Sequence, residues 1–385
     1  MKTNNRIQVF PLLEEGLERT VGAHRAHIAS FQEQALRFRC PQKKGLEWLA
    51  EAHTVLGGSD PQRIQTLLSR YSASPDQIAF RHHELADFTH RRWKEMRLFS
   101  PKGSDATQKA AFFDETVSSV FERFYPEGAA APETIVHVTC TGYSAPSAAQ
   151  RIVSVRDWGR STQVLHAYHM GCYAAHPALR MAAGQESVDI VHTELCSLHF
   201  DPTKHDPAQL IIQSLFADGC IKYRVTREPS PQSASLEILT LHDEILPNSA
   251  HVMNWAPSPL GFSMTLSKEV PLVFANALPR FARRLFEKAA LDFSEEQDRA
   301  IFAIHPGGPR IIEMSEQILD LRPAQVAWSR HVLRYYGNMS SATLPHIWHR
   351  ILKDDLIPNG TLIVSLGAGP GLTLSGAIFR KRNAL

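Results

Sequence analysis

Cys172 stands in the segment QVLHAYHMGCYAAHPALRMAAG, which reads as a strand, a glycine turn and then a helix that opens near the cysteine. The free N–H groups and positive dipole end of a helix favour a thiolate, and they lower a thiol pKa from its free value of about 8.5. Gly171 lets the chain turn sharply just before the cysteine. Two later segments share this layout. AIFAIHPGGPRIIE places His305 after an apolar strand and before a Pro-Gly-Gly-Pro turn into a helix, and RYYGNMSSATLPHIW places Asn338 after Gly337 where a helix begins. The thiolate is the reactive form of cysteine, so Cys172 is a candidate nucleophile, with His305 and Asn338 as candidates to work beside it. Sites in α/β sheets gather at the carboxyl ends of strands, so distance along the chain does not keep the three apart.

Each residue alone says little. Most free cysteines are buried apolar filler, and among 19 histidines a single one more often satisfies a local hydrogen bond. The five cysteines, Cys40, Cys140, Cys172, Cys196 and Cys220, form no CxxC pair, and no HExxH occurs, so neither a disulfide framework nor a metal site is expected. Free thiols suit a reducing, cytoplasmic compartment. The first residues, MKTNNRIQVFPLLEEGLERT, carry acidic side chains where a signal peptide has an apolar run, and no segment reads as a membrane span.

The elements that must position these groups begin in earnest at Thr134. Before it the chain is polar and helix-like, with three- and four-residue apolar spacing in FQEQALRF, IQTLLSRY and AFFDETVSSVFERF. SPKGSDATQ and YPEGAAAPET interrupt that pattern as turns. Then TIVHVTC, QVLHAYHM, VDIVHTEL and CIKYRV alternate with helical SAAQRIVSV, CYAAHPALRMAAG and AQLIIQSLF. Such alternation predicts a largely parallel sheet covered on both faces. EPSPQSAS reads as a linker, after which strands SLEILTLHDEIL, FSMTLS, AIFAIH and a final TLIVSLG alternate with helices VPLVFANALPRFARRLFEKAAL and PRIIEMSEQILDL. Two α/β halves are therefore expected, residues 1–235 with the cysteine and 236–385 with the histidine and asparagine, although no identical motif recurs at a fixed period.

A hydrophobic share of 43% and a charged share of 21% fit a folded globular protein. The net charge of +2 gives no field that would argue for nucleic acid as a partner. The runs His90-Arg91-Arg92 and Arg380-Lys381-Arg382 read as solvated faces or a chain end.

GCYAAHPALRMA around Cys172, SLFADG from Ser214, IHPGGPRII around His305, YGNMSSA around Asn338 and GAGPGLT from Gly367 occur in one order. In these motifs the chain resembles the chalcone and stilbene synthase family, the type III polyketide synthases of the thiolase superfamily, from about Thr134 to the C-terminus. The resemblance implies a thiolase-like fold of two similar α/β halves in an αβαβα arrangement, and a twofold homodimer. It implies Cys172 as nucleophile, with His305 and Asn338 holding the thioester carbonyl. It also implies substrate contacts: Phe216 matches an aromatic gate, Met264 stands at a second gate, Cys140 replaces a threonine, and Ala368 replaces a phenylalanine in the loop from Gly367. That loop borders the cavity as a backbone wall. Ala145 aligns with a methionine that crosses the plant dimer interface. These departures resemble bacterial members.

The implied substrates are malonyl-CoA and an acyl starter on coenzyme A or an acyl carrier protein, with no redox cofactor or metal. Smaller side chains at 264 and 368 point to fatty acyl starters, each buried methylene contributing about 0.8 kcal/mol, and so to alkylpyrone or alkylresorcinol products. A ketoacyl synthase III-like enzyme with one condensation would use the same three residues.

Overall fold

The computed structural model describes residues 26–99 and 105–384. The stretch MKTNNRIQVFPLLEEGLERT lies outside the described residues, as does part of SPKGSDATQ. The strands are β1 His27–Glu33, β2 Phe38–Pro41, β3 Phe80–His83, β4 Thr134–Thr139, β5 Gln163–Tyr168, β6 Ser187–Leu195, β7 Asp218–Thr226, β8 Ser235–Ile245, β9 Met253–Ser258, β10 Gly261–Leu266, β11 Ile301–Ile304, β12 Leu362–Gly369 and β13 Thr373–Arg382. The α-helices are α1 Gln42–Val55, α2 Pro61–Tyr71, α3 Ala106–Phe124, α4 Ala148–Val155, α5 Ala175–Ala182, α6 Pro207–Leu215, α7 Val270–Lys288, α8 Phe293–Glu296, α9 Pro309–Leu319, α10 Ala327–Tyr336 and α11 Thr343–Lys353.

Local chemistry sets many of these boundaries. Asp60 and Asp206 accept from the first-turn N–H groups of α2 and α6, each followed by a proline that fits the first helical position. Ser147 and Gln150 close a reciprocal capping box on α4. Every residue of β4 is buried, as expected of a strand covered on both faces.

Nine strands form one sheet in the order β11-β12-β13-β8-β1-β7-β6-β4-β5. It is mixed, which corrects the largely parallel sheet expected from alternation. The pairs β4–β5, β4–β6 and β11–β12 are parallel, whereas β6–β7, β7–β1, β1–β8, β8–β13 and β13–β12 are antiparallel. Reading inward from β4, next to the β5 edge, and from the β11 edge, β4-β6-β7-β1 and β11-β12-β13-β8 repeat the same chain order and the same pairing directions. The two halves are thus similar in topology although their sequences show no repeat.

The halves meet through the β1–β8 junction, where among the described residues His27 with Glu237 and Ile28 with Leu236 are in register. α5 touches β4 and β6 of the first half and β13 of the second; α11 touches β7 of the first half and β11 of the second. These two helices are the central layer. α5 is packed by Ala175, Ala178 and Ala182, α11 by Leu344, Ile347, Trp348 and Ile351. α3 and α4 lie outside the first half, and α7 and α9 outside the second. β5 and β11 are opposite edges of the sheet, yet the folding of the halves over α5 and α11 brings their carboxyl ends to one place.

Three local expectations are overturned. FQEQALRF is not a helix: Phe31-Gln32-Glu33 ends β1, and Phe38 begins β2. A register shift between Ala29 and Gln32, with Ser30 at φ 55°, breaks the alternation that would have marked a strand. TLIVSLG is not the last strand, because β13 follows it and lies between β12 and β8. Arg380-Lys381-Arg382 belongs to β13; Lys381 is 1% exposed, its Nζ donating to Ile357 and Asp354 carbonyls, and Arg382 pairs with Glu237. Among the described residues no helix is long and apolar enough to cross a membrane.

Candidate active site

After β5 the chain passes His169 at φ 60° and Gly171 at φ 88° into a turn closed by the Ala174 N–H on the Gly171 carbonyl. Gly171 is demanded twice: its φ is left-handed, and a Cβ there would lie 2.3 Å from Pro370 Cδ. Cys172 sits in that turn, buried, three residues before α5 begins. Burial pushes its thiol up to about 12; Ser340, whose Oγ is 3.9 Å from Cys172 Sγ, pulls the other way, and Glu194 adds to the rise. Burial thus works against the helix-tip thiolate expected from sequence. Desolvation outweighs a dipole one turn away.

His305 continues β11, its N–H donating to Leu366 O at 2.8 Å as the strand runs along β12. The Pro-Gly-Gly-Pro turn then leads into α9, as expected. Burial pushes His305 down to about 3, which favours the neutral imidazole. Asn338 follows Gly337 at the end of α10 and precedes α11 by a short 3₁₀ turn, Ser340–Ala342. Its Oδ1 accepts from the Ser340 N–H at 2.9 Å, which fixes the amide's orientation and turns Nδ2 the other way. Among the described residues, His305 Nδ1, His305 Nε2 and Asn338 Nδ2 are buried without hydrogen-bond partners. Native proteins seldom leave such atoms unpaired.

Cys172, His305 and Asn338 line one cavity of about 610 Å³ counted with its mouth to solvent, together with Ala368, Phe216 and Met264. A larger cavity, about 1220 Å³ on the same measure, shares Cys172, Ile212, Phe216 and Met264 with the first and extends to Trp48, Leu49 and Phe88. Cys140 lines only the larger cavity and Ala368 only the smaller. The four substrate-contact candidates are thus split: Phe216 and Met264 stand where the cavities join, with Cys140 and Ala368 on opposite sides. Gly367 and Ala368 wall the smaller cavity and Pro370 the larger, so the loop from Gly367 borders both.

Sequence reasoning missed the support beneath these groups. Glu194 is fully buried and accepts from the Cys140 N–H, Thr141 Oγ1, and both the N–H and Oγ of Ser341. Burial raises its pKa, opposed by these hydrogen bonds. Cys140 Sγ in turn accepts the Gly171 N–H at 3.0 Å. Glu194 thereby ties the end of β4 to the turn carrying Ser341, and Cys140 ties it to the residue before Cys172. A carboxylate inside the apolar strand VDIVHTEL was the available signal. Among the described residues no group of three or more His, Cys, Asp or Glu side chains is arranged to hold a metal ion.

Residues 237–382 match the family of chalcone and stilbene synthases, C-terminal domain. The chain is 30% identical over 255 residues to "Probable polyketide synthase 1" of Dictyostelium discoideum, covering 64% of this chain and 8% of that protein. It is 28% identical over 258 residues to "Type III polyketide synthase C" of Arabidopsis thaliana, covering 64% of this chain and 66% of that one. In structure it resembles the C-terminal type III polyketide synthase domain of Steely1, a type I/III hybrid from Dictyostelium. The TM-score is 0.79 at 23% identity, covering 94% of this chain and all of that domain. At that identity the likeness speaks to the fold, which is thiolase-like. Fold and sequence together make this chain a homologue of the type III polyketide synthases of the chalcone and stilbene synthase family.

Proposed function

We propose that the protein extends an acyl thioester with malonyl units by decarboxylative condensation, Cys172 carrying the acyl group. The observation that supports this reading is the trio of unpartnered nitrogen atoms, His305 Nδ1 and Nε2 and Asn338 Nδ2, buried in the wall of the cavity that Cys172 lines. The single N–H of a neutral imidazole and the amide N–H, left unpaired in a buried wall, suit an oxygen that becomes anionic only during reaction.

With both side chains neutral at rest, the proton moves as the bond forms. Cys172 Sγ attacks the starter thioester carbonyl, His305 takes the thiol proton, the bond to the coenzyme A sulfur breaks, and that sulfur receives the proton. Malonyl-CoA then presents its thioester oxygen to His305 and Asn338. Carbon dioxide leaves, and the electron pair it leaves behind delocalises onto that oxygen. The enolate carbon attacks the acyl carbonyl on Cys172, a carbon–carbon bond forms, and the sulfur departs as a thiolate that takes a proton from water.

The larger cavity supports a fatty acyl starter, since Trp48, Leu49, Phe88 and Phe200 present apolar surface to a chain leaving Cys172 past Phe216. Alkylpyrones or alkylresorcinols are the corresponding products. β5, an edge strand, supports the proposed homodimer by leaving one side free to pair. Sedimentation at micromolar concentration tests the dimer, and a monomer there refutes it.

The reaction is tested by carbon dioxide release from malonyl-CoA and by product masses with hexanoyl-, dodecanoyl- and coumaroyl-CoA. Release that requires His305 and Asn338, with alkyl starters preferred, is the expected result. No release from folded protein ends the proposal; a coumaroyl preference of about tenfold, or 1.4 kcal/mol, ends its fatty acyl part.

A further inference from the structure

The last carbonyls of α6 have no partners within the helix, as at any helix end, and here two side chains from the first part of the chain collect them. Arg81 Nη1 donates to Gln213 O at 2.8 Å and to Phe216 O at 3.0 Å. Gln42 Nε2 donates to Ser214 O at 2.9 Å and to Ala73 O at 3.1 Å, while its Oε1 accepts from Arg81 Nε at 2.8 Å. Gln42 is fully buried. Arg81 is part-buried, lines the larger cavity, and makes no ion pair among the described residues.

On its other side the same short segment carries Asn338. The Asn338 N–H donates to Leu215 O at 2.9 Å, and the Ala217 N–H donates to Asn338 O at 2.8 Å. The arginine stem reaches this second partner as well. A Cβ on Gly337 would lie 3.0 Å from Arg81 Cγ and 3.1 Å from Leu215 O, and the φ of Gly337 is 79°. Leu215-Phe216-Ala217 is therefore held between an arginine–glutamine pair and the backbone of Asn338.

Capping carbonyls alone does not call for a desolvated guanidinium, because water or an amide does it at lower cost. What the planar fork supplies is direction: Nε and Nη1 are fixed relative to one another, so three acceptors are held in one geometry. We propose that Arg81, with Gln42, is a positioning residue that holds the Phe216 segment against Asn338 and so sets the Asn338 amide for the thioester oxygen. The mechanical part stands on the structure alone; its kinetic consequence rests on the proposed function.

Arg81→Met keeps the stem and removes the donors, and Arg81→Lys keeps a charge without the fork. Hydrogen exchange followed by mass spectrometry reads the clamp without reference to activity. In Arg81→Met the Ala217 and Asn338 amides exchange about tenfold faster, as for one lost hydrogen bond, while β4 and β6 are unchanged. The kcat for malonyl-CoA decarboxylation falls at least about tenfold, short of the roughly 10²–10³ for deleting an oxyanion donor outright, with KM within about twofold. In Arg81→Lys the ammonium is desolvated, faces Cys40, His83 and Asp218, and loses its proton at a lower pH than a free lysine. The clamp is present below that pKa and lost above it, so this variant's activity falls as pH rises, where the wild type shows no such limb.

Unchanged exchange at both amides in folded Arg81→Met overturns the clamp. Faster exchange with unaltered kcat overturns its role in positioning. If Arg81→Met does not fold, Arg81→Lys measured above and below its own pKa makes the same comparison. Should the wild type release no carbon dioxide, the proposed function fails and exchange alone decides the clamp.

Discussion

Phe216 and Asn338 face each other across an isolated parallel β-bridge, so the residue between the two cavities and the amide beside Cys172 share one stretch of hydrogen-bonded backbone. Deleting the Phe216 ring leaves that backbone intact, whereas deleting the Asn338 amide removes a donor. Phe216→Ala is expected to change starter selection with malonyl decarboxylation held within about threefold, or roughly 0.6 kcal/mol. Asn338→Ala and His305→Ala each lower carbon dioxide release by roughly 10²–10³. Cys172→Ala keeps release and loses condensation. Equal loss of release in Cys172→Ala and His305→Ala would mean that the sulfur takes part in decarboxylation.

Burial pushes the Cys172 thiol up to about 12, which makes its reactivity a test of the site's electrostatics. Iodoacetamide should label Cys172 about tenfold faster for each pH unit from 7 to 9, following the thiolate fraction. Cys172 should outpace Cys140, Cys196 and Cys220, whose thiols burial raises well above the usual range. Half-buried Cys40, raised by desolvation against the pull of Arg81, is the competitor to resolve by peptide mapping. A labelling rate that is flat below pH 7 would show instead a thiolate–imidazolium pair at rest.

Acid should destabilise the fold earlier than carboxylate protonation does. Burial lowers His137, His199 and His305 to about 3, His176 to about 4, and His192 further. In the unfolded chain these groups bind protons below about 6.5, while the folded protein keeps them neutral. The unfolded state therefore binds more protons between about 6.5 and 4, and stability is lost as pH falls through that window, each histidine contributing up to about 1.4 kcal/mol per pH unit. Asp218, raised to about 7 by burial, acts in the opposite sense, contributing stability that is lost as pH rises from about 4 to 7. Urea unfolding at pH 7, 6 and 5 measures the sum. A flat profile would mean that these histidines are protonated in place.

Much of this arrangement was legible in the sequence because strand–turn–helix punctuation is local. The turns beside Cys172, His305 and Asn338 could be placed from Gly171, Pro306 and Gly337 alone. Pairing direction could not, since a buried strand such as β4 carries the same apolar residues whether its neighbour runs parallel or antiparallel. β13 was missed for a related reason. Its Arg380-Lys381-Arg382 run looks like a solvated end, and only the carbonyls of Asp354 and Ile357 show why Lys381 is inside. The upward pull on the Cys172 thiol is not legible in the sequence, because helix position is local while burial is a property of the whole fold.

Cys140 offers a stability test near the site. Its sulfur is the acceptor for the Gly171 N–H, and its own N–H is held by Glu194. Cys140→Ala leaves a buried donor unpaired beside Cys172, at a cost of about 1–3 kcal/mol. Cys140→Ser restores an acceptor and should recover part of it. Thermal melts of the two variants rank them, and alanine as stable as wild type would mean that Gly171 finds another partner.

The split between the cavities changes where chain length should be controlled. Ala368 shares its cavity with His305 and Asn338, so a phenylalanine there crowds the groups proposed to bind the malonyl thioester. The larger cavity reaches Leu49 on α1, out of the reach of position 368 but continuous with Cys172. Leu49→Phe should therefore shorten the preferred starter by two to four carbons, on the order of 0.8 kcal/mol for each methylene no longer buried, and leave malonyl decarboxylation within about twofold. Ala368→Phe should do the reverse, lowering decarboxylation while the ranking of hexanoyl- and dodecanoyl-CoA stays as in wild type. Steady-state kcat/KM for both starters, with carbon dioxide release measured in parallel, separates the two outcomes. If Ala368→Phe shortens the chain and Leu49→Phe does not, the acyl group lies on the His305 side of Phe216, and the assignment of the two cavities must be exchanged.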